Sequence, residues 1–169
     1  GAQPLAVTMA GGVAICIEID EEKIKRRIKT KYLDQFTDSI DEAIKISKNA
    51  IKYKKPLSIG LLGNSADLIP KFIEYAFVPD IITDQTSAHD ELVGYYPNNF
   101  SMKKALELRK SDPKRYIKES IRSMGEHVRA ILKLKEMGAV AFDYGNNIRE
   151  QAKKAGVKDA FQFPGFVPA

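Results

Sequence analysis

Four continuous apolar runs, separated by amphipathic stretches, set the pattern of this chain. The runs are rich in residues that favour strands and cover residues 13–19, 57–62, 81–83 and 139–142. Unbroken apolar runs of this kind are typical of strands buried on both faces of a parallel sheet. Because each run is soon followed by residues that favour a helix start, we predict an α/β fold: an open, mostly parallel sheet with helices on both faces.

Turn and cap residues indicate where the intervening helices begin and end. Helices are predicted over residues 3–10 and 65–77, with Pro4 tolerated in a first turn and Pro70 expected to cause a kink or a late start. The residues suited to cap the other helix starts are Asp20, Asp38, Ser101, Asp112 and either Asn146 or Asn147. In the helix after Asp38, Ile51 is expected to face the core. The longest helix ends at Gly138, and its apolar stripe comprises Ile117, Ile121, Met124, Val128, Ile131 and Leu132.

The composition is that of a globular domain. The chain has 169 residues, 44% of them hydrophobic, which is enough to bury a core. No apolar run approaches the ~20 residues that a membrane helix needs, so no membrane association is expected. The net charge of +5 would suit a nucleic-acid-binding module, which is one rival hypothesis. We predict no nucleic-acid partner, because the basic residues alternate with acidic and apolar ones, as on solvated helix faces, and no base-stacking aromatic motif accompanies them.

The densest set of hydrogen-bonding side chains follows the third apolar run. Residues 82–90 read Ile-Thr-Asp-Gln-Thr-Ser-Ala-His-Asp, which combines hydroxyls, an amide, an imidazole and two carboxylates. Polar ligands of open parallel sheets dock at the carboxyl ends of the strands, and a long polar loop such as 88–100 often carries function. Neither histidine of the chain belongs to a pair of nucleophile and base, and no spacing suits a metal. The run therefore predicts a ligand site without a metal.

Five segments, in the same order along the chain, resemble the urocanase (urocanate hydratase) family. They are Gly-Ala-Gln-Pro-Leu-Ala at 1–6, Gly-Asn at 63–64, Thr-Asp-Gln-Thr-Ser-Ala-His-Asp at 83–90, Asp-Tyr-Gly-Asn-Asn-Ile-Arg at 143–149 and Phe-Pro-Gly-Phe-Val-Pro-Ala at 163–169. The resemblance covers the central NAD-binding domain of the family and implies a Rossmann-like fold. It also implies that residues 1–169 are a single domain, excised from a longer chain whose flanking core domain is absent.

A dinucleotide site needs a glycine turn at a helix start and an acid for the adenosine ribose. Gly1 precedes the first predicted helix, and Glu18 lies near the end of the first apolar run. By itself Glu18 is better explained as a surface acid at a strand end. The resemblance implies instead that it binds the ribose, which favours NAD over NADP because a carboxylate repels the 2′-phosphate. Lys23 stands where the family often carries arginine; lysine keeps the charge but loses the planar fork.

The resemblance implies further cofactor contacts after the other strands. These come from Asn64, Ser65, Gln85, Thr86, Ser87, Ala88, His89, Tyr95, Tyr96 and Tyr144. The family usually has alanine where Ser65 stands and leucine where Tyr96 stands. From the residues alone, Asn64 is a helix cap, His89 is structural, and Tyr144 is equally a core residue or a ring against the nicotinamide.

By resemblance, the complete enzyme adds water to urocanate to give imidazolone propionate in histidine degradation, with NAD+ as an electrophile. The family is a cytoplasmic homodimer, and the single cysteine, Cys16, fits a reducing compartment. Because the catalytic groups come mainly from the core domain, we expect none in this chain, weak or no NAD+ binding, and no urocanate hydration by the chain alone. The alternative, an ordinary NAD-dependent dehydrogenase domain, would explain the sheet and Glu18 but not the runs at 83–90 and 143–149.

Overall fold

The structure, a computed structural model, describes residues 2–166 and divides into two compact units. The first unit ends at Leu68 and the second begins at Ile69. Each unit has its own parallel sheet with helices packed against the strands. The fold is therefore α/β, and every pair of strands among the described residues is parallel, as the alternation of apolar and amphipathic stretches predicts.

The first unit is built on a three-stranded sheet. Its elements are α1 (Gln3–Met9), β1 (Val13–Glu18), α2 (Glu21–Lys29), β2 (Gln35–Thr37), α3 (Ile40–Lys52), β3 (Leu57–Leu62) and the start of α4 (Ser65–Glu74). The strand order is β1–β3–β2, and the middle strand β3 is buried over its first five residues. Gly60 brings α2 close to this strand, because a Cβ at that position would lie 2.7 Å from Ile24 Cγ2. Both faces of β3 are covered, which explains its unbroken apolar run.

The second unit combines a two-stranded sheet with a long helix. Its elements after α4 are β4 (Ile81–Asp84), α5 (Met102–Ser111), α6 (Pro113–Glu136), β5 (Val140–Asp143) and α7 (Ile148–Lys154). The strands pair in parallel, with Asp84 level with Asp143. Helix α6 packs against both strands and against α5 and α7. Gly125 of α6 permits the close approach of the chain that follows α7, since a Cβ there would lie 2.7 Å from the Cβ of Ala155.

The four predicted strands are confirmed to within one residue at each end. A fifth, β2, was missed because it has only three residues and its one buried side chain, Thr37, is polar. The strands also form two hydrogen-bonded sheets, one in each unit, rather than the single sheet expected. Apolar runs identify buried strands, but they carry no information about which strands pair.

The predicted helices are present, with local corrections. Helix α3 is capped by Ser39, whose hydroxyl accepts a hydrogen bond from the Glu42 N–H at 3.3 Å, and not by Asp38. Ile51, expected to face inward, is 56% exposed. Pro70 lies inside α4.

Helix α6 presents a more polar face to the core than its apolar stripe predicts. Met124, Val128 and Ile131 are fully buried, as predicted, but Ile117 and Ile121 are only half-buried. The other buried side chains of this helix include Tyr116, Ser120, Ser123 and His127. Neither α6 nor any other helix within residues 2–166 is both long and apolar enough to cross a membrane.

Candidate functional site

The carboxyl ends of β1 and β3 lie side by side in the first unit. Glu18 pairs with Leu62 in register, and the Gly63 N–H donates to the Glu18 carbonyl at 3.0 Å. The predicted ribose-binding acid and the predicted Gly63-Asn64 turn are therefore brought together at one edge of this sheet. This is the edge at which open parallel sheets bind their ligands.

The Glu18 carboxylate is paired with a cation that the sequence analysis missed. Oε2 of Glu18 accepts a hydrogen bond from Arg27 Nη1 at 3.0 Å, and Oε1 accepts a longer one from the Asp20 N–H at 3.3 Å. The side chains of Arg27 and Glu18 are 25% and 20% exposed, so their contact is reachable from solvent. Arg27 lies one helical turn beyond Lys23, and that spacing on α2 was the available signal.

Lys23 contacts a different acid. Its Nζ lies 4.0 Å from the carboxylate of Asp20, and its side chain is 45% exposed. Asp20 caps α2, as predicted, by accepting a hydrogen bond from the Glu22 N–H at 3.0 Å. Lys23 thus lies at the start of α2, while Arg27 holds the Glu18 carboxylate.

The turn after β3 is shaped by its glycine and its asparagine. Gly63 has φ +154°, and a Cβ there would lie 2.6 Å from Leu68 Cδ1. Asn64 caps α4, because its Oδ1 accepts a hydrogen bond from the Ala66 N–H at 2.9 Å. Ser65, the first residue of α4, is half-buried. The turn therefore presents the beginning of a helix beside Glu18, where backbone N–H groups favour anions.

In the second unit, the run after β4 alternates between exposed and covered side chains. Gln85, Ser87 and His89 are exposed, whereas Thr86 is half-buried and Ala88 is fully buried. The exposed set carries an amide, a hydroxyl and an imidazole, all of which can bond to a polar ligand. The covered set fixes the loop to the unit.

A polar junction holds Thr86 in place. Its hydroxyl donates to Asp84 Oδ2 at 2.9 Å, and its carbonyl accepts a hydrogen bond from Asn146 Nδ2 at 2.8 Å. Asn146 Nδ2 also contacts the Asp84 carboxylate. Asp84 is 3% exposed, so its hydrogen bonds satisfy a buried acid. The junction ties the loop after β4 to the loop after β5, and the Thr86 hydroxyl proton is used within it.

The next turn of this loop is also tightly ordered. Asp90 Oδ1 accepts hydrogen bonds from the N–H groups of Leu92 and Val93 at 3.0 and 2.8 Å, and these bonds lower the pKa of Asp90. A Cβ on Gly94 would lie 1.9 Å from the carbonyl oxygen of Ser87. Beside this turn lies an open groove of about 460 Å³, lined by His89, Asp90, Glu91, Leu92 and Ile117.

The two tyrosines predicted to contact the cofactor in this loop differ in burial. Tyr95 is 4% exposed, its hydroxyl lies 3.2 Å from His127 Nδ1, and its carbonyl accepts a hydrogen bond from the Tyr116 hydroxyl at 2.9 Å. Tyr96 is half-buried, with the Arg109 guanidinium 5.0 Å from its ring centroid. The Tyr95 ring therefore belongs to the core of the second unit, where its contact with His127 anchors the loop to α6.

Burial of His127 predicts a loss of stability in acid. Burial lowers the pKa of His127 below its ordinary value, and the Asp84 charge opposes this effect only in part. Below pH ~6.5 His127 is protonated in the unfolded chain but stays neutral in the folded chain until a lower pH. The free energy of unfolding therefore falls by up to about 1.4 kcal/mol per pH unit. In urea denaturation between pH 7 and 5, His127→Asn should lose less stability than the wild-type chain. If the free energy of unfolding changes equally with pH in the two proteins, this expectation is wrong.

Tyr144 lies in an aromatic cluster at the end of β5. Its ring centroid is 5.9 Å from that of Phe142 and 5.4 Å from that of Phe166. Tyr144 is half-buried and Phe166 is 67% exposed. The cluster is held by backbone bonds to β5, because the Asp143 N–H donates to the Pro164 carbonyl at 3.1 Å. Two of the sequence motifs, 143–149 and the described part of 163–169, therefore meet in the second unit.

The predicted site residues thus divide between the two units. Glu18, Asn64 and Ser65 share one sheet edge, Lys23 lies at the nearby start of α2, and the remaining described residues surround the loops after β4 and β5. Gly1 lies outside the described residues. Within residues 2–166, no group of three or more His, Cys, Asp and Glu side chains is arranged to hold a metal ion.

A comparison with known families identifies the domain. The family model described as the Urocanase Rossmann-like domain matches residues 1–169, the whole chain. The match agrees with the parallel α/β architecture and with the motifs gathered at the strand ends, whereas an ordinary dehydrogenase domain gains no support. The chain belongs to the urocanase family, of which it is the Rossmann-like domain.

Proposed function

We propose that this chain is the cofactor-holding domain of urocanate hydratase, the enzyme that adds water to urocanate to give imidazolone propionate in histidine degradation. The observation that carries the proposal is the family match over the whole chain. We further propose that the cofactor is NAD+ and that residues 1–169 serve as one binding domain. The complete enzyme is proposed to be a cytoplasmic homodimer.

The first unit offers groups that fit the adenosine side of NAD+. Glu18 ends β1 with a carboxylate that is only partly covered, so it can accept hydrogen bonds from ribose hydroxyls. Asn64 caps α4 and Ser65 is its first residue, and the positive end of the helix there favours phosphate oxygens. Lys23 adds a positive charge near the same edge.

The second unit offers polar side chains on an ordered loop. Gln85, Ser87 and His89 are exposed, and their amide, hydroxyl and imidazole suit phosphate and ribose oxygens. Thr86 and Ala88 contribute through the backbone that they hold in place. Among the aromatic residues, half-buried Tyr144 and Tyr96 can pack against a planar ring, and Tyr95 stabilises the loop from the core.

The proposed role of this chain is to bind the cofactor and orient it. When bound, NAD+ supplies an electron-poor nicotinamide ring that acts as the electrophile toward the imidazole of urocanate. The residues named above fix the position of the cofactor, because small displacements of reacting groups are costly to the rate. We propose that the groups acting on urocanate itself come from the rest of the enzyme. The chain alone should then bind NAD+ weakly and leave urocanate unchanged.

An NMR titration of the ¹⁵N-labelled chain with NAD+ tests the cofactor proposal. We expect saturable shifts of the Glu18, Ser65 and Ser87 amide signals at millimolar NAD+. Glu18→Ala should weaken binding about tenfold or more, because hydrogen bonds to a charged group are lost. Glu74→Ala is the matched control, since Glu74 is an exposed acid at the end of α4, and it should bind like the wild-type chain.

Other outcomes would point elsewhere. The absence of any saturable shift would count against the NAD+ proposal. A urocanate absorbance assay that detects turnover by the chain alone would place catalytic groups within these 169 residues. Reduction of NAD+ by a simple alcohol or hydroxy acid would favour the dehydrogenase alternative.

A further inference from the structure

We infer that Arg27 acts with Glu18 to decide whether this chain accepts an adenosine whose ribose carries a free or a phosphorylated 2′-hydroxyl. The inference rests on the proposed function, and it names the residue that controls cofactor choice at the proposed site. Arg27 is then a specificity-determining residue whose positive charge is offset by the Glu18 carboxylate that it contacts.

The geometry that supports this inference lies within the first unit. Arg27 Nη1 donates to Glu18 Oε2 at 3.0 Å, and both side chains remain partly exposed. Within the part of the chain that the structure describes, Glu18 is the one carboxylate within ion-pair distance of Arg27. A ligand that reaches the Glu18 carboxylate therefore also reaches the guanidinium.

The charge balance of this pair predicts its preference. While Glu18 is ionised, its negative charge offsets that of Arg27 and repels a 2′-phosphate, but its oxygens still accept hydrogen bonds from ribose hydroxyls. Replacing Glu18 with glutamine removes the repulsion and frees the guanidinium. A planar guanidinium matches the geometry of phosphate with paired hydrogen bonds, so the same edge should then attract the phosphorylated ribose.

Lys23 provides an internal comparison. It is on the same helix and carries the same charge, but its Nζ lies 4.0 Å from Asp20 and it makes no ion pair with Glu18. Its compact ammonium also lacks the planar fork of arginine. If cation count alone set the preference, Lys23 and Arg27 would matter equally. If contact with Glu18 sets the preference, only the replacement of Arg27 should change it.

The experiment compares two soluble probes, 5′-AMP and adenosine 2′,5′-bisphosphate, by NMR titration at fixed ionic strength. The wild-type chain should prefer 5′-AMP. Glu18→Gln should shift the ratio of the two dissociation constants toward the bisphosphate by about tenfold or more. Adding Arg27→Gln should remove most of that shift, whereas adding Lys23→Gln to Glu18→Gln should leave it in place. Glu18→Gln with Arg27→Lys keeps the charge for folding and should show a reduced shift.

The possible failures are distinguishable. If the wild-type chain binds 5′-AMP but the shift in Glu18→Gln survives Arg27→Gln, or disappears with Lys23→Gln, the inference is overturned and the proposed function stands. The same holds if Glu18→Gln produces no shift. If the wild-type chain binds neither probe at millimolar concentration, the adenosine site proposed for the first unit is wrong, and the inference falls with it. Thermal unfolding of each variant shows whether a lost preference reflects a lost fold.

Discussion

Replacing Arg149 with alanine should lower the free energy of unfolding by about 3–5 kcal/mol, because it leaves a buried charge without its partner. The Asp143 side chain is 1% exposed and that of Arg149 is 18% exposed, and Arg149 Nε contacts the Asp143 carboxylate. Asp143 Oδ1 also accepts a hydrogen bond from the Gly145 N–H at 2.6 Å, but a neutral donor cannot replace a full positive charge. Urea denaturation followed by circular dichroism measures the loss.

Two variants control this experiment. Lys133→Ala removes an exposed ion pair, whose partners Lys133 and Glu136 have side chains 56% and 65% exposed, so it should change stability by less than about 1 kcal/mol. Adding Asp143→Asn to Arg149→Ala removes the unpaired charge and should restore part of the loss. If Arg149→Ala stays within about 1 kcal/mol of the wild-type chain, the ion pair does not have the importance that its burial predicts.

The strands could be predicted because their signal is local. A run such as 57–62, apolar except for Ser58, is typical of a strand buried on both faces, and residues 57–61 are buried in the structure. Strand β2 gave no such signal, since only Thr37 of its three residues is buried. The cap of α3 was misplaced by one residue because Asp38 and Ser39 are both good caps, and only the backbone geometry selects Ser39.

The positions of the candidate site residues at strand ends could be predicted, but the contacts of each side chain could not. Thr86 of the 83–90 motif and Tyr95 of the following loop were both predicted to contact the cofactor, and in the structure both side chains make hydrogen-bonding contacts within the second unit. The difference depends on contacts across 60 or more residues for Thr86, whose partner is Asn146. Arg27 was missed for the opposite reason. It belongs to no motif, and its contact with Glu18 is made only in the folded chain.

The loop from 88 to 100 shows why a polar sequence need not be a mobile one. Asn98 is 4% exposed, and its side-chain oxygen accepts hydrogen bonds from Arg122 Nη2 and Ser123 Oγ, both at 2.8 Å. Its Nδ2 donates to Glu126 Oε2 at 2.8 Å. Side chains that look suited to solvent or to a ligand are used here to fasten the loop to α6. Such use of a polar side chain depends on the tertiary fold and leaves no periodic signal in the sequence.

Replacing Gly94 with alanine should destabilise the second unit by about 3 kcal/mol or more, the upper range for steric overpacking. The added Cβ would lie 1.9 Å from the carbonyl oxygen of Ser87, and a backbone atom cannot rotate away as a side chain can. The same carbonyl accepts a hydrogen bond from the Asp90 N–H at 3.0 Å. Relief of the clash must therefore move the turn that presents Ser87 and His89. Urea denaturation measures the first effect, and an NMR titration with NAD+ measures the second.

The neighbouring substitution Val93→Ala separates this steric effect from a general sensitivity of the loop. Val93 is 56% exposed, so its truncation should change stability by no more than about 0.5 kcal/mol and leave NAD+ binding as in the wild-type chain. Under the proposed function, Gly94→Ala should instead lose the shift of the Ser87 amide that NAD+ is expected to cause, because the loop no longer holds its backbone in place. If Gly94→Ala keeps both its stability and that shift, the close approach of Gly94 to Ser87 is not what holds the loop after β4 in place.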